Sequence, residues 1–554
     1  MSQTQRLISD HINIWTSAEA EKKSGRGRSS NNAGNIFGIQ KMRELILELA
    51  VQGRLTSNNL NEKPSIEEPM EIQKEIPFKL HKNWRWTFLP DIAKYKVGKT
   101  PSTKNSSYWT GSNNGYNWVS IADLIHGGTI SKTSKKVTDL AQKEVFKSIP
   151  IEAGIILMSF KLTIGKISIL EVPAYHNEAI ISIYPSKFVN KDFLFKILPS
   201  RAKAGISKSA IKGNTLNSKS LAKLLIPLPP LPEQLRIVSK VNDLMAICNQ
   251  LEQQHINSSE THKKLVQVLL HNLVQSKDMQ EFKDCWQKIA GHFEVLFTTE
   301  ESVDELIKTI IQLAVMGKLI PQDPKDEPAS ELIKKIEIEK PAIKKIKNTF
   351  SFNKDNISFN LPQGWKWVKF SDIAQHNSGK TLDSSRNTGE YRNYITTSNL
   401  YWGSFDLSSI RKMPIEDYEL ERCTAKKGDL LIIEGGEAGR AAVWESDNDI
   451  CFQNHIHRAR FYGKINPYYA YRYFEKLNIT GEINQYRKGI GISNMSGKSL
   501  GSIPFPLPPL NEQSRIVNKL DQLMALCDEL KSRIQQASMQ QKQIADVLVS
   551  QALN

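Results

Sequence analysis

The chain has 554 residues, 40% of them hydrophobic, and a formal net charge of +16. That length provides for several domains with their own cores, and so large an excess of Lys and Arg is the footprint of a protein that meets polyphosphate. Five scattered cysteines (Cys248, Cys285, Cys423, Cys451, Cys527) without a C-x-x-C argue against a disulfide framework and a zinc site. No apolar run approaches the ~20 residues of a membrane span, and the first residues lack a signal peptide's apolar stretch, so a reducing cytoplasm is the expected location.

In chain order, residues 1–37, with Lys22, Lys23, Arg26 and Arg28 among Ser, Asn and Gly, read as a flexible basic tail. Residues 38–83 read as a helix and connector, the helix running into LAVQGRL (Leu49 to Leu55). From 84 to 225 the pattern turns to short β-branched runs, VSIADL, GIILMSF, KISIL and AIISIY, which predict a mixed, β-rich domain with a helix near its end. Pro229-Pro230 cannot continue a ladder or sit inside a helix, so they close that domain. The Glu-Gln that follows opens a long helix, its first turn favouring an acid. Apolar residues recur there at helical spacing: Ile237, Val241, Leu244, Met245, Cys248, Leu251, then Leu265, Val268 and Leu269. From Pro232 to Gln275 such a helix would span about 65 Å. Residues 226–350 therefore form a central helical region, ending in a charge-dense connector from Lys325 to Lys347. Residues 351–506 predict a second β-rich domain, and 507–554 a second long helix with Ile516, Leu520, Leu523, Met524, Cys527, Leu530, Ile544, Val547 and Leu548 in its stripe.

The chain is thus written twice. LPPLPEQLRIVSKVNDLMAICNQL (Leu228 to Leu251) returns as LPPLNEQSRIVNKLDQLMALCDEL (Leu507 to Leu530), with roughly fifteen of about twenty-four positions identical. Upstream, Trp84-Arg85-Trp86 returns as Trp365-Lys366-Trp367, Asp91-Ile92-Ala93 as Asp372-Ile373-Ala374, and Gly98-Lys99-Thr100 as Gly379-Lys380-Thr381. WVSIADL (Trp118 to Leu124) matches YITTSNL (Tyr394 to Leu400), Gly154 and Gly165 match Gly428 and Gly439, and LAVQGRL is echoed by LAVMGKL (Leu313 to Leu319). A long helix with one apolar stripe needs a partner, and its own duplicate is at hand. The expected fold is α+β: two β-rich mixed domains joined by two long antiparallel coiled-coil helices, a pseudo-two-fold internal repeat.

These motifs, above all P-L-P-P-L-x-E-Q-x-R-I-V found twice, resemble the specificity subunits of type I restriction-modification enzymes, over nearly everything from Met42 onward. The resemblance implies two target-recognition domains that each read one half of a split, asymmetric double-stranded DNA site, and helices that set the gap and dock two adenine-N6 methyltransferase subunits. A restriction/translocase subunit would join them, with S-adenosylmethionine, ATP and Mg belonging to those partners and no cofactor in this chain. Two similar readers on one face of a duplex would sit about 34 Å apart, or at a multiple of it.

What the two copies share points to scaffold, and what differs at matched places points to readout. The four shared tryptophans, Trp84, Trp86, Trp365 and Trp367, read as packing. Between the matched glycines the first copy has Ser159-Phe160-Lys161-Leu162-Thr163-Ile164 and the second Ile433-Glu434-Gly435-Gly436-Glu437-Ala438, yet a cation follows in both, Lys166 and Arg440. A fixed cation beside a variable loop suits a division between phosphate anchoring and base reading. Lys161 matches guanine and Glu434 the cytosine amino group, with Thr163 and Glu437 beside them. Lys99, Thr100, Ser102, Thr103 and Lys104, and Lys380, Thr381 and Arg386, follow a shared glycine and suit phosphate contacts. Tyr391, Arg392, Lys212, Arg487 and Lys488 are further candidates.

No catalytic or metal-binding set assembles from the sequence. Gly-Lys-Thr lacks the glycine a P-loop needs five residues earlier, where Ala93 and Ala374 stand. Asn466-Pro467-Tyr468-Tyr469 approaches a methyltransferase's base-holding motif, but it and Asn190-Lys191-Asp192-Phe193 read better as helix starts. A self-sufficient nuclease or methyltransferase, and a stand-alone DNA-binding regulator or decoy, are the alternatives.

Overall fold

The computed structural model describes residues 10–17, 36–204, 218–339 and 359–553, apart from short gaps at 65, 68, 70–71, 73–75, 112–113, 384 and 490–492. It divides into two compact units, residues 1–259 with 537–554, and residues 260–536. Among the described residues no helix is long and apolar enough to cross a membrane.

In the first unit, helix α1 (Ile12–Ser17) lies within the stretch expected as a tail. Trp15 is fully buried, and its backbone sits so close to Gly38 that a Cβ there would collide with it. Burial of one large aromatic ring offsets the cost of ordering this short segment. Lys22, Lys23, Arg26 and Arg28 lie outside the described residues. Helix α2 (Phe37–Val51) buries Ile39, Met42, Leu45, Ile46 and Leu49. Its LAVQGRL ending is a glycine cap: Gly53 is left-handed at φ +72°, and Arg54 N donates to Leu49 O at 2.9 Å. The second unit repeats the cap below helix α4 (Glu300–Val315), with Gly317 at φ +69° and Lys318 N donating to Leu313 O at 2.8 Å. Each glycine is hemmed in by a ring and an indole, His81 and Trp84 at Gly53 and Pro362 and Trp365 at Gly317, which leave no room for a side chain.

The β-rich part of the first unit carries a five-stranded sheet of β1 (Ala93–Val97), β2 (Gly128–Ile130), β3 (Ile156–Ser159), β4 (Ile167–Leu170) and β5 (Ile180–Pro185), in spatial order β1-β5-β3-β4-β2. The second unit repeats four of these as β6 (Ala374–Ser378), β7 (Leu430–Ile433), β8 (Ala441–Val443) and β9 (Ile456–Phe461), in order β6-β9-β7-β8. Both domains have a further four-stranded sheet with one parallel pairing, Trp118 with Tyr175 and Tyr394 with Cys451. Both are closed by a short antiparallel pair, Arg85–Phe88 with Leu225–Leu228 and Lys366–Lys369 with Pro504–Leu507. The runs alternate or are apolar throughout according to whether one face or both are covered. Cys423 and Cys451, distant in sequence, share one small core in the second domain.

The long helices are α3 (Leu231–Gln275) and α5 (Leu510–Leu553). In the first unit, Ile237, Val241 and Cys248 of α3 share a core with Ala545, Leu548 and Ala552 of α5. In the second, Ile516, Leu520 and Cys527 of α5 share a core with Val266, Leu270 and Leu273 of α3. The two helices pack together in this way, the first part of one with the last part of the other. The stripe read from the sequence is displaced in the later turns: Leu265, Val268, Ile544 and Val547 are exposed, and Val266, Leu270, Ala545 and Ala552 are buried instead. Two apolar stripes overlap there, and periodicity alone does not choose between them. Beyond α4, Ala329–Glu339 of the charged connector is a helix with Leu332 and Ile336 buried.

The repeated Glu-Gln after the prolines ties each domain to its helix. Trp84 Nε1 donates to buried Glu233 Oε2 at 3.0 Å, and Trp365 Nε1 to Glu512 Oε2 at 2.9 Å. Burial pushes both carboxyls above the usual range, against the pull of the indole hydrogen bond. Gln234 donates to Pro229 O at 2.9 Å and accepts from Asn190 N at 2.7 Å; Gln513 does the same with Pro508 O at 3.0 Å and Asn466 N at 2.9 Å. Arg236 grips Glu62 at 2.7 and 2.9 Å, and Arg515 grips Asp326.

Candidate nucleic-acid interface

The segments chosen by comparing the copies meet in each domain. Gly98 and Gly379 stand where a Cβ would collide with backbone carbonyls, those of His176 and Asn177 in one domain and of Phe452 and Gln453 in the other. Lys99 N then donates to His176 O at 2.9 Å, and Lys380 N to Phe452 O at 3.0 Å. The same turns reach the next segment, Asn177 N donating to Val119 O and Gln453 N to Ile395 O, both at 3.0 Å. The shared Gly-Lys-Thr is therefore a backbone stitch.

Its lysine side chains turn back onto the fold. Lys99 Nζ donates to Val145 O at 2.9 Å, and Lys380 pairs with Glu419, holding that carboxyl below the usual carboxylate range. Thr100 bonds Glu178, and the Ser102 carbonyl accepts from Trp109 Nε1 at 3.1 Å. Thr103, Lys104, Thr381 and Arg386 are exposed, Arg386 at 86% with Asp383 3.7 Å away. Lys99, Thr100 and Ser102 are exposed as well, so Lys380 alone of this group is turned largely away from solvent.

The loop between the matched glycines is the β3–β4 hairpin, repeated as β7–β8. Its neck is the same in both: Gly165 N donates to Ser159 O at 2.9 Å and Gly439 N to Ile433 O at 2.8 Å. Phe160 N donates to Ala179 O at 3.0 Å, and Glu434 N to His455 O at 2.8 Å. Glu434 thus takes the place of Phe160, a buried position, and not a place at the tip. Its carboxylate lies 3.7 Å from Nε2 of buried His457, which bonds Met495 O at 3.1 Å. Burial lowers the His457 pKa and Glu434 opposes that shift. The matched tips are Lys161-Leu162-Thr163 and Gly435-Gly436-Glu437. Lys161 lies over the Phe160 ring at 5.3 Å, while Glu437 is 67% exposed and pairs with Arg440 at 2.6 Å.

The shared cation has a structural task in both copies. Lys166 Nζ donates to Ile121 O at 3.1 Å, and Arg440 Nη2 to the matching Thr397 O at 3.0 Å. Each clamps the hairpin onto a turn with its own repeated brace. Asp123 accepts from Ser120 N and Oγ at 2.8 and 2.6 Å, and Asn399 from Thr396 N and Oγ1, both at 2.9 Å. Arg440 also lies over Tyr401. Desolvation, then the nearby charges of Lys203 and Lys166, lower the pKa of His126, so positive charge collects beside the first hairpin.

In the second domain the tip is also braced from behind. Gly435 and Gly436 pair with Asn494 and Ser493, and Arg487 Nε donates to Ala438 O at 2.8 Å. Arg392 is engaged by Glu390 and Asp417, each at 2.8 Å, while Tyr391 is 74% exposed; Lys212 lies outside the described residues. Asn466 caps its helix by accepting from Tyr468 N at 2.9 Å, and Asn190 accepts from Phe193 N at the same distance, so both are helix starts. The residue the sequence comparison passed over is Leu162, whose only signal was its alignment with a glycine.

A family model described as "Type I restriction modification DNA specificity domain" matches residues 81–260 and 362–537. The chain is 31% identical over 606 residues to the type I restriction enzyme EcoAI specificity subunit of Escherichia coli, covering 99% of this chain and 100% of that one. It is 29% identical over 610 residues to the EcoEI specificity subunit of the same species, with the same coverage. Among solved structures, the HsdS subunit from Thermoanaerobacter tengcongensis aligns with a TM-score of 0.41 and 18% identity, over 86% of this chain and 98% of that one.

Proposed function

Since the chain belongs to the specificity subunits of type I restriction-modification enzymes, with two target-recognition domains for DNA, we propose that each domain reads one half of a split, asymmetric site through its hairpin tip. The observation that carries this is the pairing of identical frames with different tips. The named bonds of the neck, the cation clamp and the glycine stitch agree, while Lys161-Leu162-Thr163 stands in one domain where the other has Gly435-Gly436-Glu437. A frame that repeats positions a reader; a tip that differs gives it a different base preference.

The chain itself is a non-catalytic subunit in this reading. Adenine-N6 methylation belongs to two methyltransferase subunits, with S-adenosylmethionine, and cleavage to a restriction/translocase subunit, with ATP and Mg. What supports such docking is an apolar groove of ≈ 720 Å³ in the second unit, lined by Phe282, Trp286, Phe293, Leu306, Leu523 and Leu526.

The test is to map modified adenines in host DNA with the complete modification complex present, and again without this gene. Two short motifs at a fixed gap, lost on deletion, are expected. Lys161→Ala should alter one half-motif and Glu437→Ala the other, each by roughly 5- to 150-fold in discrimination at one base pair. Alteration of both halves by either change would overturn the assignment of one tip to one half.

A further inference from the structure

The first hairpin tip holds a residue whose backbone conformation and exposure both run against its side chain. Leu162 has φ +64°, in the left-handed region that side chains disfavour; among the described residues only Lys147 and Lys464 share that condition without being glycine. The matched residue of the second tip, Gly436, has φ +88° and is the residue such a backbone favours. Leu162 is also 78% exposed, so its side chain gains little burial to offset the conformational cost. Cations stand in the same hairpin, with Lys161 next to it in sequence and Lys166 at the neck, and Lys203 acts with Lys166 on His126. Strain of this kind persists where a site makes use of it.

We propose that Leu162 is a specificity-determining residue, its side chain meeting the C5-methyl group of a thymine in the half-site read by the first domain. DNA, a polyanion, is drawn to these cations. Of the groups a duplex offers in its major groove, the thymine methyl is the one that matches an exposed aliphatic tip. This rests on the reading of the two hairpins as readers, and it deepens that reading by naming what one of them recognises.

The experiment uses the complete modification complex with wild-type chain, Leu162→Gly and Leu162→Asn. Both replacements accept a left-handed backbone, so thermal stability should be unchanged or raised, which separates readout from misfolding. Adenine mapping should show the first half-motif relaxed at one T·A position and the second half intact. In duplexes carrying the site, replacing that thymine by uracil removes only the methyl group. Wild type should lose about fourfold in affinity, the change that one buried methyl corresponds to, and Leu162→Gly should lose none. An unchanged motif in both variants, or equal loss in both halves, overturns the role of Leu162. Failure of the wild-type complex to give any two-part motif would instead overturn the reading of the hairpins themselves.

Discussion

The two hairpins differ at their tips and agree at their necks, and the contrast separates what a reading domain must keep from what it is free to change. In the first, Phe160 fills the interior behind the tip; in the second, Glu434 stands there beside His457. The backbone bonds on either side are nevertheless the same, and so is the cation that ties the hairpin to the neighbouring turn. Position is thus set by main-chain contacts and one shared cation. In the proposed reading, base preference falls to the three residues beyond them.

That comparison can be broken most forcefully at the paired indoles. Trp84→Ala and Trp365→Ala each empty a buried site and remove the indole bond to a buried carboxylate, leaving Glu512 with Gln322 as its donor, so each should cost about 3–5 kcal/mol in denaturant unfolding. A large loss for one and none for the other would show that the frames are alike in shape but not in energetic weight. Next come Gly98→Ala and Gly379→Ala, which push a methyl into backbone carbonyls and should each cost about 1–3 kcal/mol, again as a matched pair in melting experiments.

Smaller still is the effect of a single exposed cation. Lys104→Ala should weaken binding to specific and unrelated duplexes alike and reduce the salt slope of log K by about 1. A change confined to one sequence would make Lys104 a base reader. The slightest effect concerns pH. Burial raises Glu233 and Glu512 above the ordinary value of 4.5, so the folded chain favours their neutral form. Their contribution is present below that value and is lost as pH rises through the raised one. Glu233→Gln and Glu512→Gln keep an acceptor for the indole, and should flatten the fall of melting temperature above pH 4.5; a steeper fall would contradict the direction.

Much of the architecture was legible because the chain repeats itself. The alignment of WVSIADL with YITTSNL located the turn that the cation clamps, and the proline motif located both long helices. Side-chain direction was not legible. Lys99 and Lys380 follow a glycine in an apparently basic loop, but their partners, Val145 and Glu419, lie some forty residues away in sequence. Glu434 looked like a tip residue because the interval between glycines says nothing of where the hairpin narrows; the bond from its amide to His455 does. In α3 the later apolar turns admitted two stripes, and the choice fell to the partner that covers Val266 and Leu270.

One feature of the cores bears on how the protein is made. Ala545, Leu548 and Ala552 complete the core of the unit that otherwise ends at Ser259. They leave the ribosome nearly 300 residues after it, a delay on the order of 15–60 s at ordinary rates of translation. Throughout that interval the nascent first unit exposes the apolar surface those residues will cover. A holding chaperone, or slow passage through the later codons, would therefore affect the yield of the first unit more than that of the second.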